Sequence, residues 1–183
     1  MGKIYLTMDD SMREFIMAQP IFFVGSAPLD SRGHINVSPK GLDTLRILGP
    51  TTASYLDLTG SGIETISHVR ENGRIVLMFC AFQGPPRILR LHGRGRVIEP
   101  HEEEFAALAA NFPNYEGARA LIVIELSRIA DSCGFGVPLL KTEADRKQLT
   151  AWSSKQGPDG LKRYRSEKNQ RSVDGLPGIK ISN

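Results

Sequence analysis

The run Ala53-Ser54-Tyr55-Leu56-Asp57-Leu58-Thr59-Gly60-Ser61-Gly62-Ile63-Glu64-Thr65 decides the fold of this chain. Its first half reads as a strand, and its small residues then turn the chain into the start of a helix. A helix leaves the N–H groups of its first turn unpaired, so strand, turn and helix in this order can present donors to an anion. The helix closes at Glu71-Asn72-Gly73-Arg74, with Gly73 as its stop. Two further strand-like runs follow, Ile75-Val76-Leu77-Met78-Phe79-Cys80 and Arg87-Ile88-Leu89-Arg90-Leu91-His92-Gly93-Arg94-Gly95-Arg96-Val97. The turn formers Gln83-Gly84-Pro85-Pro86 between them predict an antiparallel pair.

Upstream, Met8, Met12, Phe15 and Ile16 share one face of a helix predicted over Thr7–Gln19, which Pro20 ends. Ile21–Ala27 reads as a short buried strand, and Asp30-Ser31-Arg32-Gly33 as the turn after it. His34–Lys40 alternates apolar and polar residues, and Pro39, lacking an N–H, places this strand at a sheet edge. Thr44–Leu48 and Thr52–Leu58 continue the pattern around Gly49-Pro50. Downstream, His101–Asn111 is predicted as a helix with an acidic first turn, and Ala120–Ile129 as another strand. Consecutive strands with short turns point to a barrel, mainly β with flanking helices.

With 183 residues, 40% of them hydrophobic, the chain can bury one sizeable core. Residues 1–140 are read as that domain, and 141–183 as a C-terminal helix with a basic extension. Leu140–Ser154 can be helical around Leu149 and Trp152. Beyond it, Leu161-Lys162-Arg163-Tyr164-Arg165 and Lys168-Asn169-Gln170-Arg171 read as an exposed basic face or a loosely ordered tail. A formal charge of +3, with acids and bases interspersed, does not call for a nucleic-acid partner, and Tyr164 alone offers an aromatic ring among the basic residues. No apolar run reaches the roughly 18 residues of a membrane span, and Asp9, Asp10, Arg13 and Glu14 break any signal-like start. A soluble cytoplasmic protein is expected. Cys80 and Cys133 form neither a metal-type cluster nor a disulfide framework. No Ser/His/Asp pattern, P-loop or zinc-ligand spacing appears, so no metal site is expected and no catalytic residue is assigned.

The order and spacing of these segments, from roughly Met8 to Leu140, resemble the FMN-binding split β-barrel family related to pyridoxamine 5′-phosphate oxidase. The resemblance implies an FMN-dependent oxidoreductase with a small organic substrate, assembled as a homodimer with the cofactor at the interface. Asn36, Val37, Ser38 and Lys40 match the early strand whose basic end holds the FMN phosphate. Leu58, Ser61, Gly62, Glu64 and Thr65 match the turn and helix start, and Arg87 a cofactor-contacting strand start. Where the better-known oxidases carry a basic pair on the helix start, this chain has Glu64-Thr65, which weakens any claim on pyridoxamine phosphate as substrate. Glu64 would then cap a backbone N–H or bond the ribityl hydroxyls or a ring N–H. Phosphate would rely on Lys40, Ser61, Thr65, the helix-start amides and Arg87 or Arg90. Under the same resemblance, the basic extension becomes an arm across the partner subunit, and Asp131–Pro138 a pocket wall with Phe135 against the ring.

Taken singly, these residues have ordinary readings. Gly60-Ser61-Gly62 marks many turns, Lys40 is a solvated lysine, and His68 a packed or surface histidine. Arg87, Arg90, Arg94 and Arg96 suit a solvated strand face, and Cys133 a small buried side chain. Two other functions stay open on the same barrel: a non-catalytic flavin-binding or storage protein, and a relative using haem or deazaflavin.

Overall fold

In the computed structural model, which describes residues 2–180, β3 (Asn36–Lys40) and β4 (Leu45–Gly49) lie at opposite ends of one antiparallel sheet although four residues join them. The hydrogen-bonded path runs β3-β2-β6-β7-β8-β5-β4, with β2 Phe22–Ser26, β5 Thr52–Leu58, β6 Arg74–Cys80, β7 Ile88–Ile98 and β8 Ala118–Ser132. Laid flat, its six steps would part the end strands by about 29 Å, at about 4.8 Å per step. The link between them reaches at most about 18 Å. The sheet therefore curls into a barrel left open between β3 and β4. Contacts across the interior agree: the ring of Phe22 on β2 meets that of Tyr55 on β5, centroids 5.8 Å apart. Val24, Tyr55, Leu77, Phe79, Leu89, Leu91, Ile122 and Ile129 fill the inside, all fully buried.

β8 is the spine. It pairs with β7 along most of its length, with β5 through Ala118–Glu125, and with the short β1 (Ile4–Tyr5) near its end. Pro39 does lie on an edge strand, where its missing donor costs nothing on the outer side. Helix α1 (Asp10–Met17) is shorter than its pattern because Asp9 caps it, accepting from the Met12 amide. Helix α2 spans Glu64–Asn72 as the sequence indicates, buries Ile66 and Val69, and stops at Gly73, whose φ of 71° is open to glycine. Helix α3 covers Glu103–Ala109.

The C-terminal region keeps the helix expected around Leu149 and Trp152 and departs from the loose tail expected beyond it. Helix α4 spans Gln148–Lys168, broken at Gly157-Pro158, where Gly157 has φ 62°. Its two halves meet through Trp152 and Tyr164, rings 4.9 Å apart and edge-on. Residues 169–180 then fold back on the barrel: Asn169 and Ser172 are buried, and Ile179 joins the main core. Gly178 permits that approach, since a Cβ there would stand 2.0 Å from the Asn169 carbonyl oxygen. Of the two readings of its basic stretches, the exposed face holds, with Lys162, Arg163, Lys168 and Arg171 exposed, and the loose tail does not, because Leu161, Asn169 and Ile179 anchor it. Among the described residues no helix is long and apolar enough to cross a membrane.

Candidate functional site

A cavity of about 610 Å³ opens where β3 ends, β5 ends and α2 begins. Its wall includes Ser38, Lys40, Leu56, Leu58, Gly62, Glu64 and Thr65, with Thr142, Arg146 and Leu149 crossing the mouth from the segment before and into α4. Lys40 is carried there by the last residue of β3, and Thr65 by the first turn of α2. No side chain caps α2, so the amides of its first turn keep their donors for an outside acceptor.

Asp57 organises the charges. It is 1% exposed, yet Lys40 Nζ lies 2.6 Å from one carboxylate oxygen and Arg119 Nε 2.7 Å from the other. Burial pushes its carboxyl up, but Arg119 and then Lys40 outweigh burial and bring the pKa down to about 2. Arg119 is spent on protein: it also donates to the Gly60 carbonyl at 3.0 Å, the Gly62 carbonyl at 2.8 Å and Asn169 Oδ1 at 2.9 Å. Lys40, partly exposed to the cavity, has one acceptor and two further protons to offer. Two cations against one carboxylate leave this knot with a net positive charge.

The sequence-derived residues divide into groups. Ser38, Lys40, Leu58, Gly62, Glu64 and Thr65 are brought together on the cavity wall. Asn36 stands behind it, donating to Thr65 Oγ1 at 2.9 Å and accepting from Ser38 Oγ at 3.0 Å, so Thr65 keeps its own proton for a further acceptor. Ser61 is exposed at the turn, and Val37 points outward from β3. Glu64 accepts the Val173 amide at 3.3 Å and so does take a backbone N–H, from the C-terminal segment. Arg87 is not with them. It lines a second cleft with Phe15, Asp131 and Cys133, its guanidinium 4.9 Å from the Phe15 ring centroid and 3.8 Å from the Asp131 carboxylate. Arg90 instead donates to Ser132 Oγ. The Asp131–Pro138 loop borders that second cleft, Phe135 is 81% exposed, and Cys133 is exposed where a buried thiol was expected, because the loop leaves the sheet at this point. His68 is fully buried, with Nδ1 3.0 Å from Ser26 Oγ and Nε2 unpartnered, and burial lowers its pKa, so it packs as a neutral ring.

Asp57, Arg119 and Asn169 were missed. A carboxylate inside a strand between Leu56 and Leu58 was the available signal, since a buried charge needs a partner. The partner itself, 62 residues on, leaves no local mark.

The sequence profile of the pyridoxamine 5′-phosphate oxidase family matches residues 8–133. The chain belongs to that family. It is 42% identical, over 98% of its own length and 78% of the relative's, to the pyridoxamine 5′-phosphate oxidase family protein ustO of Aspergillus flavus. Similar solved folds include Group A Streptococcus HupZ, with TM-score 0.52 and 22% identity over 67% of this chain and 91% of that one. Another is an FAD-binding protein of Mesorhizobium loti, with TM-score 0.50 and 10% identity over 72% and 96%. The family match stops short of α4, so Asn169 lies outside it.

Proposed function

We propose that this family member is an FMN-dependent oxidoreductase acting on a small organic substrate, working as a cytoplasmic homodimer. The observation that carries the reading is the placement of Lys40 and the uncapped first turn of α2 on one cavity wall. The donor set suits a phosphate dianion: an ammonium, the Thr65 hydroxyl and helix-start amides, beside the apolar Leu56 and Leu58. Bound flavin would supply the hydride chemistry. This chain's residues hold and orient: Lys40 fixes the phosphate end, Asn36 sets the Thr65 rotamer, and the 142–149 strap shields the mouth from water.

Arg87 and the Asp131–Pro138 loop enter through the dimer. One subunit keeps them in a separate cleft, and a second copy would bring its cleft to the first copy's cavity. Ile35 and Val37, 77% and 65% exposed beside the β3 edge, support such a surface. Haem is less well supported, because the cavity wall offers no His, Cys or Met as an axial ligand among the described residues. A non-catalytic flavin carrier is the second reading. It is favoured by the carboxylates at the cavity, since Asp57 is held ionised by two cations and Glu64 already holds an amide. The absorbance spectrum of purified protein, with mass identification of released cofactor, tests the proposal. A bound FMN that dithionite bleaches and a substrate reoxidises supports the enzyme. Bleaching without substrate-dependent turnover leaves the carrier, and protein that cannot take up FMN overturns both.

A further inference from the structure

The turn before α2 has all its carbonyls tied backward. Arg119 Nη1 and Asn169 Nδ2 both donate to the Gly60 carbonyl, at 3.0 and 2.9 Å. Asn169 Nδ2 also reaches the Ser61 carbonyl at 3.4 Å, and Arg119 Nη2 holds that of Gly62 at 2.8 Å. In a trans peptide the carbonyl and the following N–H point in opposite directions. Three carbonyls drawn toward Arg119 and Asn169 therefore turn the N–H groups of Ser61, Gly62 and Ile63 the other way. They extend the row of free donors in the first turn of α2 into a backbone nest.

Asn169 has no freedom to do otherwise. It is fully buried, and a guanidinium has no acceptor, so the amide oxygen must face Arg119 at 2.9 Å and the nitrogen the turn carbonyls. Its own carbonyl accepts the Ile179 amide at 3.1 Å, and Arg165 four residues earlier donates to Thr59 Oγ1 at 2.9 Å and to the Ala118 carbonyl at 3.0 Å. The Asn169 half of the clamp thus comes from the C-terminal segment, beyond residues 8–133 that match the family profile.

We propose that Asn169 is a positioning residue for the anion-binding turn, acting through the turn's carbonyls and touching no ligand itself. The proposal deepens the FMN reading and rests on it for the identity of the anion. The test compares FMN with riboflavin, which differs by the phosphate, on wild type, Asn169→Ala and Asn169→Asp. The Asp variant keeps shape and the acceptor for Arg119 but replaces the donor facing the carbonyls. Affinity for FMN should fall about tenfold, the worth of one charge-assisted hydrogen bond, with riboflavin affinity changed less than about twofold. Equal weakening of both flavins, or of neither, overturns the proposal.

A flavin-free arm separates this result from the cofactor assignment. In wild type, inorganic phosphate should shift the amide NMR signals of Ser61 to Thr65, and the shifts should shrink in whichever Asn169 variant folds. Phosphate shifts without flavin binding would support the turn while overturning the FMN reading. Absence of such shifts in wild type overturns the proposal whatever the flavins do.

Discussion

The two ends of β8 hold their arginine–aspartate pairs in opposite ways. At its start, Arg119 is 5% exposed, 2.7 Å from Asp57, and spends its other donors on backbone and Asn169. At its finish, half-buried Asp131 lies 3.8 Å from Arg87, whose other partner is the Phe15 ring, and accepts instead from the Lys3 amide and the Tyr5 hydroxyl. Burial makes the first pair obligatory, because neither charge can be left alone in a low dielectric. Water makes the second optional. A fully engaged arginine builds a site, whereas a loosely held one is free to meet a ligand or another subunit.

The sharpest way to break this contrast is Asp57→Asn, which strands two cations around a neutral amide. Removing one partner of a buried pair costs about 3–5 kcal/mol, and the lower end is expected because Lys40 can swing toward the cavity. Urea midpoints check it, and a loss below about 1 kcal/mol would mean that the buried pair contributes little. Acid probes the same carboxylate without mutation. Its folded pKa of about 2 lies below the ordinary 3.8, so its contribution is complete above pH 4 and drains away as pH falls from about 4 to 2. About 2 kcal/mol should go over that window, and Asp57→Asn should lack this component.

Lys40→Ala comes next. It removes the cation of the buried knot that offers two spare protons to the cavity, so FMN affinity should drop roughly 10- to 100-fold, as for a lost charge-assisted hydrogen bond. Riboflavin should be affected far less, and equal loss of both would reassign Lys40 to structure. The smallest effect belongs to Arg87→Ala. Chain stability should move by less than about 1 kcal/mol, as for a half-buried pair still in reach of water. FMN binding should weaken only where sedimentation shows the dimer. A large stability loss in the monomer would erase the difference between the two ends of β8.

What the sequence disclosed follows the same line. Thr52–Leu58 and Glu64–Asn72 were legible to the residue, because periodicity, a following turn and Gly73 all act within a few positions. The edge position of β3 was legible in Pro39. Six of the ten residues matched to the family gather on one wall, since they come from two short segments that adjoin in space. Arg87 could not be placed, because nothing in its neighbourhood specifies which cavity a strand start faces. The helix around Leu149 and Trp152 was legible, but the docking of residues 161–180 was not, because it depends on an absent side chain at Gly178 and on Asn169 finding Arg119 50 residues away. Composition there is that of a solvated tail, and tertiary contact overrides it.

The position of β8 along the chain has a consequence for synthesis. The hairpins β4–β5 and β6–β7 are joined to each other through β8 alone, and β8 is the last strand of the sheet. A nascent chain therefore carries unpaired edges on β5 and β7 until residue 132 has cleared the ribosome. At about 5–20 residues per second, the stretch to Ile179 adds seconds more before the Gly60–Gly62 turn receives Asn169. The barrel closes late, and its Gly60–Gly62 turn is set last of all.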